Sequence, residues 1–153
     1  MKHRPPGKID NCQIGVFAAY ATKHGRALVD RELYLPKAWA SDRERCRAAK
    51  IPDERKFATK GDLAKAMVTR LLAAGLAASW VTADEAYGQG WKFRRVLEEL
   101  GVGYVVAVPK SQQVKSLAGF WWIDELFDGA PEDVWQRISC GPGAKGPRVY
   151  DWA

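Results

Sequence analysis

Residues 77–109 constrain the fold of this chain more than any other stretch. Ala77 to Ala83 (AASWVTA) is an apolar run of strand length that breaks off at Asp84-Glu85. Tyr87-Gly88-Gln89-Gly90 reads as a loop. Phe93, Val96, Leu97 and Leu100 then recur three and four apart on one helix face, with Gly101 as the left-handed stop. Val102 to Pro109 (VGYVVAVP) is again a buried strand. Strand, loop, helix and strand in that order make a βαβ unit, which demands a parallel pair joined by a right-handed crossover. The chain therefore reads as an α/β protein in which Asp84 and Glu85 stand at the carboxyl end of a parallel strand.

The segments before this unit are of a different kind. In Asn11 to Thr22, Cys12, Ile14, Val16 and Ala18 alternate on one face of a strand, Lys23-His24-Gly25 supplies a turn, and Arg26 to Pro36 resumes strand-like residues until Pro36 removes a donor. An antiparallel hairpin is expected. Ser41 to Lys50 reads as one short charged surface helix ended by Pro52. Thr59 and Asp62 have the spacing of a capping box, opening a helix with Leu63, Met67, Leu71 and Ala74 on one face and a stop at Gly75. That apolar stripe reads as core packing rather than a cofactor groove.

Composition narrows the class. Of 153 residues, 47% are apolar and 27% charged, which excludes disordered and collagen-like chains. The longest apolar stretch, Leu71 to Val81, is far short of the roughly 20 residues that cross a bilayer, and the basic start has no apolar run behind it, so a cytoplasmic protein is expected. Three cysteines, Cys12, Cys46 and Cys140, are too far apart for a zinc site or a disulfide framework and read as buried or incidental thiols. The net charge of +6 is concentrated at the N-terminal side, where residues 1–60 carry 14 basic and 7 acidic side chains. Such a bias favours a polyanion through counterion release, although a solvated surface explains it as well.

Chemistry concentrates at one position. Ligands of α/β proteins bind at the carboxyl ends of parallel strands, and a carboxylate there suits a hard divalent cation such as Mg²⁺, which needs only one or two protein carboxylates beside water and phosphate oxygens. Asp84 is the candidate. Its plain structural alternative is to cap the following turn or pair with Arg94 or Arg95. Glu85 should face away from it and reads as a surface carboxylate. Gly141 to Arg148 looks like a phosphate loop but lacks the Gly-Lys-Ser/Thr order. Its Lys145 and Arg148 remain candidates for touching a phosphate backbone, with an ordinary turn as the alternative. Seven tryptophans, among them Trp121-Trp122 and Trp152 beside Tyr150, suit base stacking, but aromatics at this density are expected in the core. His24 and His3 read as loop residues.

The order of segments is specific. Asp10-Asn-Cys-Gln-Ile-Gly-Val-Phe17, Asp30-Arg-Glu-Leu-Tyr-Leu-Pro36, Phe57-Ala-Thr-Lys60, Trp80-Val-Thr-Ala-Asp-Glu-Ala-Tyr-Gly-Gln89 and Gly143-Ala-Lys-Gly-Pro-Arg-Val-Tyr-Asp-Trp152 resemble the DDE transposases of the insertion sequence 701 family, relatives of the insertion sequence 4 group. The resemblance implies an RNase H-like catalytic domain that cuts and joins DNA at the ends of a mobile element, with two Asp and one Glu holding two Mg²⁺ ions. By that likeness Asp84 matches the second catalytic Asp and is a metal ligand. The first Asp would lie upstream of Asp10-Asn11 and the Glu beyond Tyr150-Asp-Trp152, so one of the three is expected here.

The expectation is a partial RNase H-like fold over residues 1–110, an antiparallel hairpin plus a βαβ unit with the first central strand missing. Residues 111–153 would begin the insertion between the second Asp and the missing Glu. Such a fragment should expose unpaired strand edges, dissolve poorly and perform no strand transfer alone. A different class of function is a non-catalytic DNA-binding module or one that docks on the intact transposase. A small nucleotide-binding protein lacks support, since no Gly-rich loop follows the first parallel strand.

Overall fold

A computed structural model describes residues 13–143 and 146–152. Cys12, Asp10, His3 and Lys145 lie outside the described residues. The chain divides into two compact units, residues 1–108 and 109–153.

The first unit is mixed α/β. Strands β1 (Ile14–Thr22) and β2 (Gly25–Tyr34) form the expected antiparallel hairpin, with His24 in its turn and a register shift between Ala18 and Ala19. The core-facing side of β1 carries Val16, Ala18 and Tyr20; Ile14 is largely exposed rather than buried with them. Pro36 ends β2's run and serves as N-cap of helix α1 (Lys37–Ser41), where its missing donor costs nothing. The short helix expected over residues 41–50 is α2 (Arg43–Ala48), and α1 is a further turn that precedes it. Asp42 separates the two: its carboxylate accepts from the Arg45 amide and caps α2.

Helix α3 (Lys60–Ala73) opens on the anticipated capping box. The Thr59 hydroxyl accepts from the Asp62 amide at 3.1 Å, and the Asp62 carboxylate accepts from the Thr59 amide at 3.3 Å. Its buried stripe is Leu63, Ala64 and Met67; Ala74 is an exposed C-cap, and Gly75 takes the left-handed turn at φ 85°.

Strands β3 (Trp80–Ala83) and β4 (Gly103–Val106) pair in parallel, as a βαβ unit requires. Ala77 to Ser79 stay outside β3. The stretch read as a loop contains a one-turn helix, α4 (Glu85–Gly88), before α5 (Trp91–Glu99). Phe93 and Leu97 of α5 meet Leu63, Ala64 and Met67 of α3 and Val16 of β1 in one core cluster.

The second unit holds two antiparallel hairpins, β5 (Gln113–Ser116) with β6 (Gly119–Trp122) and β7 (Gln136–Gly143) with β8 (Gly146–Trp152), and helix α6 (Ile123–Asp128). The described residues of the glycine-rich run, 141–143 and 146–148, therefore belong to paired strands, with Pro142 opposite Pro147. None of this unit's described residues is buried. The aromatics expected in the core are mostly on the surface, and Phe93 is the one aromatic among the buried core of the described residues.

Candidate functional site

Within the first unit, residues of β1 and β3 together line a slot of about 640 Å³. Among the described residues, each of these strands has one hydrogen-bonded neighbour, β2 for β1 and β4 for β3, so each keeps an unpaired edge. Ala64, Met67, Val68 and Leu71 of α3 contribute to the lining. The Tyr20 hydroxyl donates to the Ala77 carbonyl at 2.6 Å, which places the last turn of β1 beside the chain entering β3.

Asp84 lines this slot at the carboxyl end of β3 and is exposed. Its φ of −78° and ψ of 178° make it the extended N-cap of α4, and its Oδ1 accepts from the Ala86 amide at 3.0 Å. The capping alternative is therefore real, and it aims the carboxylate rather than consuming it, since a carboxylate has further lone pairs. The pairing alternative is not: Arg94 donates to the Gly88 carbonyl, and Arg95 pairs with Glu99 at 2.8 Å. Glu85 occupies the first turn of α4 and is exposed, where the helix dipole favours an acid. Tyr87 also lines the slot. Burial, and secondarily the Asp84 charge, raise its hydroxyl above the usual tyrosine range.

Sequence reasoning missed Tyr87 and Tyr20. Their only signal was an aromatic residue in a run of small ones; Tyr20 matters through its bond to Ala77, and Tyr87 through its burial beside Asp84 and Phe93. It also left the Asp30-Arg-Glu32 segment without a physical role. Asp30 grips Arg70 of α3 at 2.5 Å; Glu32 binds Arg70 at 2.8 Å and Arg55 at 2.7 Å. Guanidinium hydrogen bonds, from Arg70 on Asp30 and first from Arg55 on Glu32, hold both carboxyls below their ordinary values. These acids clamp the hairpin to α3 and are not available to a metal.

A divalent metal pair does not fit the donors at hand. Among the described residues no group of three His, Cys, Asp or Glu side chains is placed to hold an ion, and Asp84 is a lone carboxylate. Arg148 lies on β8, is exposed and donates to the Cys140 carbonyl at 3.2 Å. The structure does not bring it together with Asp84 in one unit. Cys46 is buried and Cys140 exposed. No helix among the described residues is long and apolar enough to cross a membrane.

The family of DDE superfamily endonucleases matches residues 4–118, well over half of the chain. No curated protein and no solved structure matches it significantly.

Proposed function

The chain belongs to the DDE superfamily endonucleases, and on that premise we propose that it is part of the catalytic domain of an insertion-sequence transposase of the 701 type. Family membership makes DNA the substrate class and a divalent metal the usual cofactor. The finer reading is that the first unit is an incomplete RNase H-like domain, that the second begins an insertion, and that Asp84 is one carboxylate of a divalent, Mg²⁺-type site. Lys145 and Arg148 would touch the DNA backbone of mobile-element ends inside the cell.

One observation carries this reading. Asp84 sits at the carboxyl end of a parallel strand and lines a slot shared by β1 and β3, each of which has a single paired neighbour among the described residues. An additional strand pairing with a free edge of β1 or β3 would set its own side chains near Asp84. The remaining carboxylates are not among the described residues, so no cleavage step is assigned to this chain alone. That single carboxylate favours a second role beside ancestry as a catalyst: a module that binds DNA or associates with an intact transposase.

DNA binding and nicking test the proposal together. The purified chain should bind duplex DNA with a salt-dependent affinity and leave supercoiled plasmid intact in Mg²⁺ or Mn²⁺. Asp84→Asn should bind duplex as the parent does. A parent that ignores duplex DNA overturns the reading, and nicking that persists in Asp84→Asn overturns the role of Asp84.

A further inference from the structure

The β7–β8 ribbon of the second unit sorts its side chains by chemistry. Strand alternation and register put Arg148, Tyr150 and Trp152 of β8 on one face with Ile138 and Gln136 of β7, since Ile138 lies opposite Tyr150 and Gln136 opposite Trp152. The other face holds Val149, Ser139 and the Arg137–Asp151 ion pair at 3.2 Å. On the first face Tyr150 is 52% and Trp152 43% exposed, and Arg148 forms no ion pair among the described residues. The β5–β6 hairpin repeats the composition: Lys115 opposes Phe120, its ammonium 6.0 Å from the ring centroid, and Gln113 opposes Trp122. Two aromatic rings, a cation and a glutamine thus recur on one face of each ribbon.

We infer that the Arg148–Tyr150–Trp152 face binds unpaired DNA bases, with the two rings as stacking platforms and Arg148 on the adjoining phosphate. The inference rests on DNA being the substrate class. Charge selects this occupant over an apolar protein surface: an exposed cation on the same strand face as two exposed rings suits a phosphate beside stacked bases. Every base offers a π-face, so the contact is tolerant of sequence, and it requires single strands because paired bases hide those faces.

Fluorescence anisotropy of a labelled oligothymidine, beside a duplex of equal length, tests it on the full chain. Tyr150→Ala with Trp152→Ala should weaken single-strand binding by about tenfold or more and change duplex binding by less than about twofold. Tyr150→Phe with Trp152→Phe should restore single-strand binding, and Arg148→Gln should reduce its salt slope by about 0.7. Should the alanine pair fail to fold, photo-cross-linking of a 5-iodouracil strand to the parent decides: adducts at Tyr150 or Trp152 support the inference, and adducts confined elsewhere overturn it. Unchanged single-strand affinity in a folded alanine pair also overturns it, as does loss of a dimer in that variant with DNA binding intact, which would make the face a contact between copies. A parent that binds duplex but not single strands refutes this inference and leaves the endonuclease reading standing; one that binds neither refutes both.

Discussion

The Tyr20 hydroxyl donates to the Ala77 carbonyl at 2.6 Å, tying together residues 57 apart across the mouth of the slot. The bond is the side-chain link between the end of β1 and the entry to β3, and it leaves Ala77 outside the strand that its apolar sequence suggests. Tyr20→Phe keeps the ring and deletes the donor. It should cost about 1 kcal/mol, the net worth of one such bond, and lower Tm by several degrees in a thermal melt followed by circular dichroism. A variant as stable as the parent would mean that packing alone holds the end of β1 against the entry to β3.

Gly88 is buried where α4 crosses the end of β4. A Cβ there would overlap the Ala107 carbonyl oxygen and lie 2.9 Å from Val106 Cβ, so backbone would have to move. Gly88→Ala is expected to destabilise the chain by about 1–3 kcal/mol, as overpacking does, whereas Gly90→Ala, with its nearest neighbour 3.3 Å away, should be milder. Urea midpoints of the two variants give the comparison. Because α4 begins at Asp84, the first substitution should also disturb the slot, visible as altered amide chemical shifts at Asp84 and Tyr87.

Asp84 has two separable properties, a cap and a charge. Asparagine caps nearly as well as aspartate, so Asp84→Asn should leave stability within about 0.5 kcal/mol of the parent, whereas Asp84→Ala should lose about 1 kcal/mol with the Ala86 contact. Paramagnetic broadening by Mn²⁺ near Asp84 should vanish in both. Equal broadening in parent and Asp84→Asn would show that the carboxylate is a cap alone.

The legible parts of this fold are those written in neighbouring residues. Thr59 and Asp62 announce α3, Gly75 and Gly101 end two helices, and the apolar runs around Val81 and Val105 declare a parallel pair because they flank an amphipathic helix. Local signals also fell short. Pro36 opened a helical turn, α1, that the apolar run before Asp42 did not suggest, and Asp84 turned a presumed loop into a helical turn by capping it. What the sequence could not display is the slot, since it depends on where β1 stops relative to β3, or the grip of Asp30 and Glu32 on Arg70 from 40 residues away. Strand polarity and the family resemblance both point to Asp84; its neighbour Tyr87 emerges only from packing.

Acid sensitivity follows from three carboxyls. Hydrogen bonds, first from Lys65 and then from Thr59, hold Asp62 at about 2 against an ordinary 3.8, and guanidinium bonds lower Asp30 and Glu32. Each folded value lies below its unfolded one, so the unfolded chain binds more protons in this range. The stability they contribute is present above about pH 4.5 and is lost as pH falls toward about 2. Asp62 is half exposed, and solvent screening reduces its share to about 1 kcal/mol. Urea midpoints should therefore be level from pH 7 to 5 and fall steeply between pH 4 and 2. Asp62→Asn retains much of the capping geometry without the titrating charge and should flatten that fall; Arg70→Met should flatten it too, while lowering stability near pH 7 by about 1–2 kcal/mol because Asp30 and Glu32 lose a shared partner at a site shielded from water only in part. A fall of undiminished slope in both variants would place the acid transition in other groups.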